Sequence, residues 1–388
     1  MSSSLPFASS LPTAQEQTNR PLRILHLTFA SDAGGLSRYI FDLGFAMHTL
    51  GHQVAVAGHR GGWHWLFESA PFPWIDVSFR AGPISMNKDI AVLSRYLQEH
   101  PVDILHTHYR RCTLTARRIQ RQFPIPILYT PHLFDIEPKW WGRNYTDFGD
   151  HSHVTSDDAR QWLIRHGTVP QELISMIPHG IDPKRFPPAD DDARAAARAE
   201  LRLSPTDIVA AYVGRMDVPK NEGWMLDLAA ASQQQLPNLK ILMVGEGPHE
   251  KSLRRRVRTE KLEDRVMMLG HRDPKAIYHA SDALLLPSDR EGFSLVCAEA
   301  MSTGIPVLRT RTSGANELIV ENATGKCVPI DHDAFITGAI EFLSDPAALK
   351  RMGRLAAVHI KEHFTFERQL NDTIDMYRSL IKLGASLR

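Results

Sequence analysis

The feature that most constrains this chain is a rhythm that runs twice. From Arg23 onward, short apolar and β-branched runs alternate with longer stretches of helical periodicity. RILHLTF (23–29), QVAVAG (53–58), DILHTH (103–108), PILYTP (126–131) and HVTS (153–156) are the strand candidates, with helical stretches at 36–50, 88–98, 112–122 and 157–166. The alternation stops at PPADDDARAAARAELRLS (187–204), which has two prolines, an acidic triplet and no apolar strand, as a domain boundary would. It restarts with DIVAAYV (207–213), KILMVG (240–245), VMMLG (266–270), ALLLP (283–287) and PVLRT (306–310). Residues 331–383 read as wholly helical, broken near Asp345-Pro346. Such alternation implies right-handed β-α-β crossovers and parallel sheets. The expected fold class is therefore α/β: two doubly wound parallel-sheet domains facing a central cleft, with ligands beyond the carboxyl ends of the strands.

Composition narrows the function classes. A length of 388 residues fits two or three domains, and a formal charge of +1 gives no overall support for a nucleic-acid partner. The cysteines, Cys112, Cys297 and Cys327, are three in number and far apart. They point to a reducing compartment rather than to a disulfide framework or a thiolate zinc site. Nothing approaches the ~18–20 apolar residues of a membrane span. Residues 1–20 have no basic stretch before a broken apolar run and read as a disordered leader. A cytoplasmic location is expected.

Chemistry concentrates in PSDREGFSLVCAEAMSTGIPVL, after the strand ALLLP. Glu291 and Glu299 are eight apart, Gly292 lies between them, and a helix is expected to start near Ser294. A glycine there lets backbone approach a ligand, and the following N–H groups favour an anion. Glu299 could accept from the vicinal diol of a ribose. By spacing alone, two solvated glutamates at a helix start account for the pattern as well. In VGRMDVPK (213–220), Arg215 and Lys220 flank a loop after a strand and could converge on one diphosphate. A solvated surface pair is the commoner meaning of that spacing. His132 closes the strand PILYTPH. His106 and His108 are read as facing opposite sides of their strand, so no metal pair is expected there, and no Asp-x-Asp or H-E-x-x-H motif is present. Gly34-Gly35 lacks the surrounding glycine fingerprint of a dinucleotide site. Finally, Arg110, Arg111, Arg117, Arg118 and Arg121 fall within about 120° of a helical wheel at about 100° per residue. That is either a solvated face or a surface for an anionic acceptor or membrane.

The long string resembles the signature of glycosyltransferase family 4, retaining enzymes of the GT-B fold, also grouped as glycosyl transferases group 1. Glu291, Gly292, Phe293, Glu299, Ala300, Met301, Gly304 and Pro306 fit the family's Glu-Gly-Phe-Gly and Glu-Ala-Met pattern, with Ser294 in place of a Gly. VGRMDVPK resembles the family's Gly-Arg…Lys-Gly loop, with Asn221 where the second Gly stands, so a different loop shape is expected there. SDAGGLSRYIF, DILHTHY, IPHGIDPKRF (His179 replacing Asn) and VGEGP extend the likeness over residues 22–365. The resemblance implies two Rossmann-like domains: 21–186 for the acceptor and 205–362 for the nucleotide sugar, joined by the linker 187–204. Residues 363–388 would form a helix returning to the first domain. It implies that His132, Arg215, Lys220 and Glu291 are catalytic. Gly34, Gly35, Gly214, Gly292, Phe293, Ser294, Leu295 and Glu299 would bind the donor. No metal or cofactor is implied; a UDP- or GDP-linked sugar is co-substrate, and the acceptor is a glycan, a lipid-linked sugar or a small molecule. A peripheral contact with the inner face of an anionic membrane would use the five arginines. The alternatives are a sugar-nucleotide epimerase or hydrolase on the same fold, or a non-catalytic sugar-nucleotide sensor.

Overall fold

The structure, a computed structural model, describes residues 20–32, 34–80, 82–132 and 146–386. The expected leader, and the stretch 134–145 with Trp140 and Trp141, lie outside the described residues apart from Arg20. Among the described residues, thirteen strands form two sheets. The first contains β1 (Arg23–Ala30), β2 (Gln53–His59), β3 (Trp74–Asp76), β4 (Ile104–Thr107), β5 (Ile127–Tyr129), β6 (His151–Val154) and β7 (Ile174–Met176) in the order β3-β2-β1-β4-β5-β6-β7. The second contains β8 (Ile208–Val213), β9 (Leu239–Val244), β10 (Val266–Met268), β11 (Ala283–Leu286), β12 (Val307–Thr310) and β13 (Gly325–Val328), ordered β10-β9-β8-β11-β12-β13. The registers β1–β2, β1–β4, β8–β9 and β8–β11 are all parallel. In each sheet the strand order reverses beside the first strand, between β1 and β4 and between β8 and β11. Those two switch points are where an open α/β sheet leaves a crevice at its carboxyl edge.

The chain divides into two compact units by contact. One comprises the described residues up to 153 together with 373–386, and the other residues 154–372. The first has a core that includes Leu25, Leu27, Ala55, Leu93, Leu105 and Ile127. The second buries Val209–Val213, Leu284, Leu285, Val307, Leu308 and helical residues such as Leu226, Ala298 and Phe335. Near-continuous apolar strands of this kind are what a sheet covered on both faces requires. Helix starts carry their own signals. Asp331 Oδ1 accepts from Ala334 N at 2.9 Å, and Asp345 Oδ1 from Ala348 N at 2.9 Å with Pro346 in the first turn.

Three expectations change. The short strands β3, β7 and β13 were not legible as apolar runs. Residues 187–204, expected to join the domains, contain a helix, Asp191–Glu200, that belongs to the second unit. Arg198 donates to Asp282 Oδ2 at 2.9 Å and to Ala280 O at 3.0 Å, and Arg194 donates to Ser281 O at 2.7 Å. These two arginines fasten the helix to the residues that lead into β11. The arginine stripe on the helix Arg110–Gln120 is also divided. Arg117 donates to Asp147 Oδ2 at 2.9 Å and pairs with Asp150, and Arg111 donates to Phe79 O at 3.2 Å. Arg118 and Arg121 are exposed.

Candidate active site

In the second unit the sequence-chosen residues meet at the carboxyl ends of β8 and β11. Gly214, Arg215 and Lys220 follow β8, and Glu291 to Leu295 follow β11. Lys220 Nζ lies 2.5 Å from Glu291 Oε1, which also accepts from Ser288 Oγ at 2.7 Å. Two more bonds join the loops: Asp289 N to Pro219 O at 2.8 Å, and Asn221 Nδ2 to Asp289 Oδ1 at 2.5 Å. Arg215 is exposed and paired with Asp217, whose carboxyl it holds below the usual range. The VGEGP turn braces the same place from β9. A Cβ on Gly245 would lie 1.9 Å from Gly214 O, so only glycine lets the two loops touch.

The two departures from glycine keep a glycine-like backbone. Asn221 has φ 49° and Ser294 φ 59°. Asparagine tolerates this left-handed region because its short amide bonds locally, here to Asp289. Asn221 thus takes a backbone conformation that glycine favours. Ser294 has no such compensation beyond an Oγ contact of 3.2 Å with Cys297 Sγ. It sits directly before the helix Leu295–Ser302.

Phe293 is not a ligand-facing side chain. It is 2% exposed, packed against His179 (ring centroids 5.6 Å) and Phe364 (5.4 Å), so only its backbone is available to a donor. Leu295 likewise packs on the core. Glu299 Oε2 accepts from the hydroxyl of Tyr278 at 3.1 Å. Burial, then the Glu299 carboxylate, pushes that phenol well above its ordinary pKa, so it stays a donor. Sequence reading missed Tyr278, Ser288 and Asp289. Tyr278 looks like one more apolar helix residue, and only the fold brings its hydroxyl to Glu299.

In the first unit, Gly34 (φ 150°) and Gly35 follow β1 and open the helix Gly35–Thr49. An added Cβ on either would meet nothing within 4 Å, so these glycines leave the carboxyl edge open rather than fitting a packed neighbour. The expectation that His106 and His108 point apart is wrong. Residues two apart on a strand share a face, and their ring centroids are 4.3 Å apart. His26 faces them from β1, in register with His106. Among the described residues, these three form a group whose possible ligand atoms lie within 4.8 Å of one another. Their ring nitrogens, His26 Nε2 excepted, are nevertheless engaged. His106 meets Tyr377 Oη at 2.6 Å and Thr130 Oγ1 at 2.8 Å, while His108 meets His26 at 3.0 Å and His132 at 3.1 Å. The cluster is thus a hydrogen-bonded network with His132 at one end.

Comparison with known proteins follows the same division. Residues 33–185 match the family model Glycosyltransferase Family 4, and residues 193–358 match Glycosyl transferases group 1. The chain belongs to the family 4, group 1 glycosyltransferases, and it is a glycosyltransferase with the GT-B fold. A D-inositol 3-phosphate glycosyltransferase of Streptomyces avermitilis is 30% identical over 430 residues, covering 96% of this chain and 90% of that one. An Escherichia coli UDP-Gal:alpha-D-GlcNAc-diphosphoundecaprenol alpha-1,3-galactosyltransferase is 26% identical, covering 77% and 81%. Among solved structures, Anabaena Alr3699/HepE in complex with UDP-glucose superposes with a TM-score of 0.77 at 20% identity, over 92% of this chain and 99% of that one. Glycosyl transfer, rather than epimerisation or sensing, is the activity these relatives share.

Proposed function

We propose that the chain transfers a hexosyl unit from a UDP- or GDP-linked sugar to a hydroxyl of a polyol, glycan or lipid-linked sugar, with retention at the anomeric carbon and without a metal. The observation that carries this is the convergence of Arg215, Lys220, Glu291 and a helix start on the carboxyl ends of β8 and β11. Cleaving the anomeric bond puts negative charge on the β-phosphate. Lys220, Arg215 and the amides around Ser294 and Leu295 offset it, and charge stabilisation of this kind is usually the largest catalytic contribution. Glu291, held by Lys220 and Ser288, lies beside the sugar, and Glu299, held by Tyr278, binds the ribose. The family resemblance gives His132 a catalytic role and Gly34 and Gly35 a part in binding the donor. The acceptor attacks on the leaving-group face, and a leaving phosphate oxygen takes its proton, so no protein nucleophile is needed. The UDP-glucose bound in the Anabaena relative supports a UDP-linked donor, and the inositol phosphate and diphosphoundecaprenol names of relatives support a hydroxyl acceptor on a phosphate-bearing molecule.

We place the protein in the cytoplasm, on its three separate buried thiols; among the described residues no helix is long and apolar enough to cross a membrane. Contact with an anionic membrane surface would centre on Arg118 and Arg121, since Arg117 is engaged with Asp147 and Asp150. The test is release of nucleoside diphosphate from a panel of nucleotide sugars, with and without candidate acceptors. Acceptor-dependent release that falls by about 10²-fold in Arg215→Ala supports the reading. Release by the wild type that ignores every acceptor would refute it in favour of hydrolysis.

A further inference from the structure

The two basic side chains read as the diphosphate clamp both face a carboxylate, Lys220 with Glu291 and Arg215 with Asp217. Each pair sums to zero, so the pairs offer an incoming diphosphate no net positive charge. Arg309, on β12, breaks the pattern. Among the described residues it is the largest side chain that is fully buried, at 0% exposure, and no carboxylate pairs with it. Its Nη2 donates to Thr312 Oγ1 at 2.5 Å and to Ser313 O at 3.1 Å, while Nε and Nη1 have no hydrogen-bond partner. Arg311, two residues on, is exposed and pairs with Glu321. A guanidinium keeps its charge in a protein interior. A buried charge with no counter-charge is among the costliest things a core can hold. Natural sequences break such a rule mainly where function requires it.

Its place in the fold shows where that function lies. Arg309 stands in register with Leu286, the last residue of β11, from which the chain enters the loop that carries Glu291. The turn that its guanidinium holds, Thr312 to Gly314, lies on that loop. A Cβ on Gly314 would come within 2.6 Å of Gly292 O and 2.8 Å of Phe293 Cα. The neighbouring Thr310 hydroxyl donates to Ser288 O, and Ser288 in turn donates to Glu291. Cys297, in the first turn of the helix Leu295–Ser302, reports the charge at this point. Burial pushes its thiol up to about 11; Arg309 is the largest influence pulling it back, Lys220 acts the same way and Glu291 opposes them. Arg309, Lys220 and Glu291 thus act on one place, the start of that helix, and Arg309 does so from within the core.

We propose that Arg309 is a positioning residue of the donor diphosphate site: it holds the Thr312–Gly314 turn against Gly292 and Phe293, and it supplies the positive charge that the Lys220 and Arg215 pairs lack. This rests on the reading of that site as the place of the nucleotide sugar's diphosphate. A charge buried in the core is fixed in place and little screened by salt, whereas Arg215 is exposed. The same charge is in position before the anomeric bond breaks, so no reorganisation is needed as the β-phosphate gains charge.

The experiment is titration of the full chain with UDP and with GDP, each against its own nucleoside, at about 0.1 M and about 0.5 M NaCl. Arg309→Gln keeps an amide donor for the turn and removes the charge. It should bind the diphosphate that the wild type prefers about 10-fold more weakly at both salt concentrations, with nucleoside affinity within about twofold of wild type. Arg309→Lys keeps the charge without the planar fork, and its diphosphate affinity should stay within about threefold of wild type. A residue that only shapes the loop would give the reverse, with Gln near wild type and Lys impaired. A Gln variant with wild-type diphosphate affinity, a Lys variant as weak as Gln, a loss shared by the nucleoside or a loss that vanishes at high salt overturns the proposal. So does failure of both variants to fold, which would assign Arg309 to the fold alone. A wild type that binds neither diphosphate refutes the donor reading itself and takes this proposal with it; the other outcomes overturn the proposal and leave that reading standing.

Discussion

The Lys220–Glu291 pair makes a prediction whose sign is unusual. The Lys220 and Glu291 side chains are 25% and 9% exposed and 2.5 Å apart. In the ligand-free protein the ammonium is therefore shared with a carboxylate that an incoming diphosphate must also approach. Lys220→Met keeps the apolar stem and removes the charge. One loss is a charge-assisted hydrogen bond to phosphate, about 1.5–3 kcal/mol. The other is exposure of the phosphate to an unneutralised Glu291: at an effective dielectric of about 20 and a separation of about 6 Å, two unit charges repel by about 2–3 kcal/mol before screening. With screening leaving about 1–2 kcal/mol of that repulsion, together they should weaken binding of a free nucleoside diphosphate by about 2.5–5 kcal/mol, roughly 70- to 5000-fold. Glu291→Gln removes the repulsion and releases Lys220, so the same ligand should bind at least as well as to wild type while sugar transfer falls. In the double variant, about 1–2 kcal/mol of the Lys220→Met loss should return, a coupling well above the ~0.3–0.5 kcal/mol scatter of independent sites. Titration calorimetry of the four proteins at one salt concentration reads this directly. Additive affinities, or a Glu291→Gln protein that binds nucleoside diphosphate as poorly as Lys220→Met, would refute the reasoning.

Other expectations are simpler. Ser294→Gly relieves a left-handed serine, worth about 1–2 kcal/mol, against about 0.5–1 kcal/mol of added chain entropy, so urea unfolding should show a net gain of about 0.5–1 kcal/mol; a loss of stability would mean the serine is not strained. His26, His106 and His108 stay neutral when folded but protonate near pH 6.5 when unfolded, so the unfolded chain binds more protons in acid. Stability from these groups is present above about pH 6.5 and is lost as pH falls, with a slope approaching about 4 kcal/mol per pH unit from three rings. His26→Leu should remove about a third of that slope in unfolding titrations, and an unchanged slope would contradict the assignment. EDTA should leave the transfer rate within about twofold, a small fraction of one tenfold step; activity lost to EDTA and restored by Mn²⁺ would sink the metal-free scheme.

The sequence by itself determined the two parallel sheets, because a strand covered on both faces must be largely apolar, as ALLLP is throughout and RILHLTF is apart from Arg23, His26 and Thr28. It also placed the charged and glycine-rich loops, because segments immediately after such strands land at the carboxyl edge. It could not resolve short strands such as β3 and β13, whose pairing comes from neighbours far along the chain. It read 187–204 as a boundary from its prolines and acidic triplet, and could not show that Arg194 and Arg198 are held by Asp282, far along the chain. Tertiary structure alone decided the partners of the site residues: Tyr278 under Glu299, Ser288 and Lys220 on Glu291, and His26 behind His108. It also decided which of the five arginines in the stripe are held internally. The physical reason is common to all of these. Periodicity reports which face of an element is buried, a local property of the chain. A hydrogen-bond partner is set by the register between strands, and the bond His26 makes to His108 spans 82 residues.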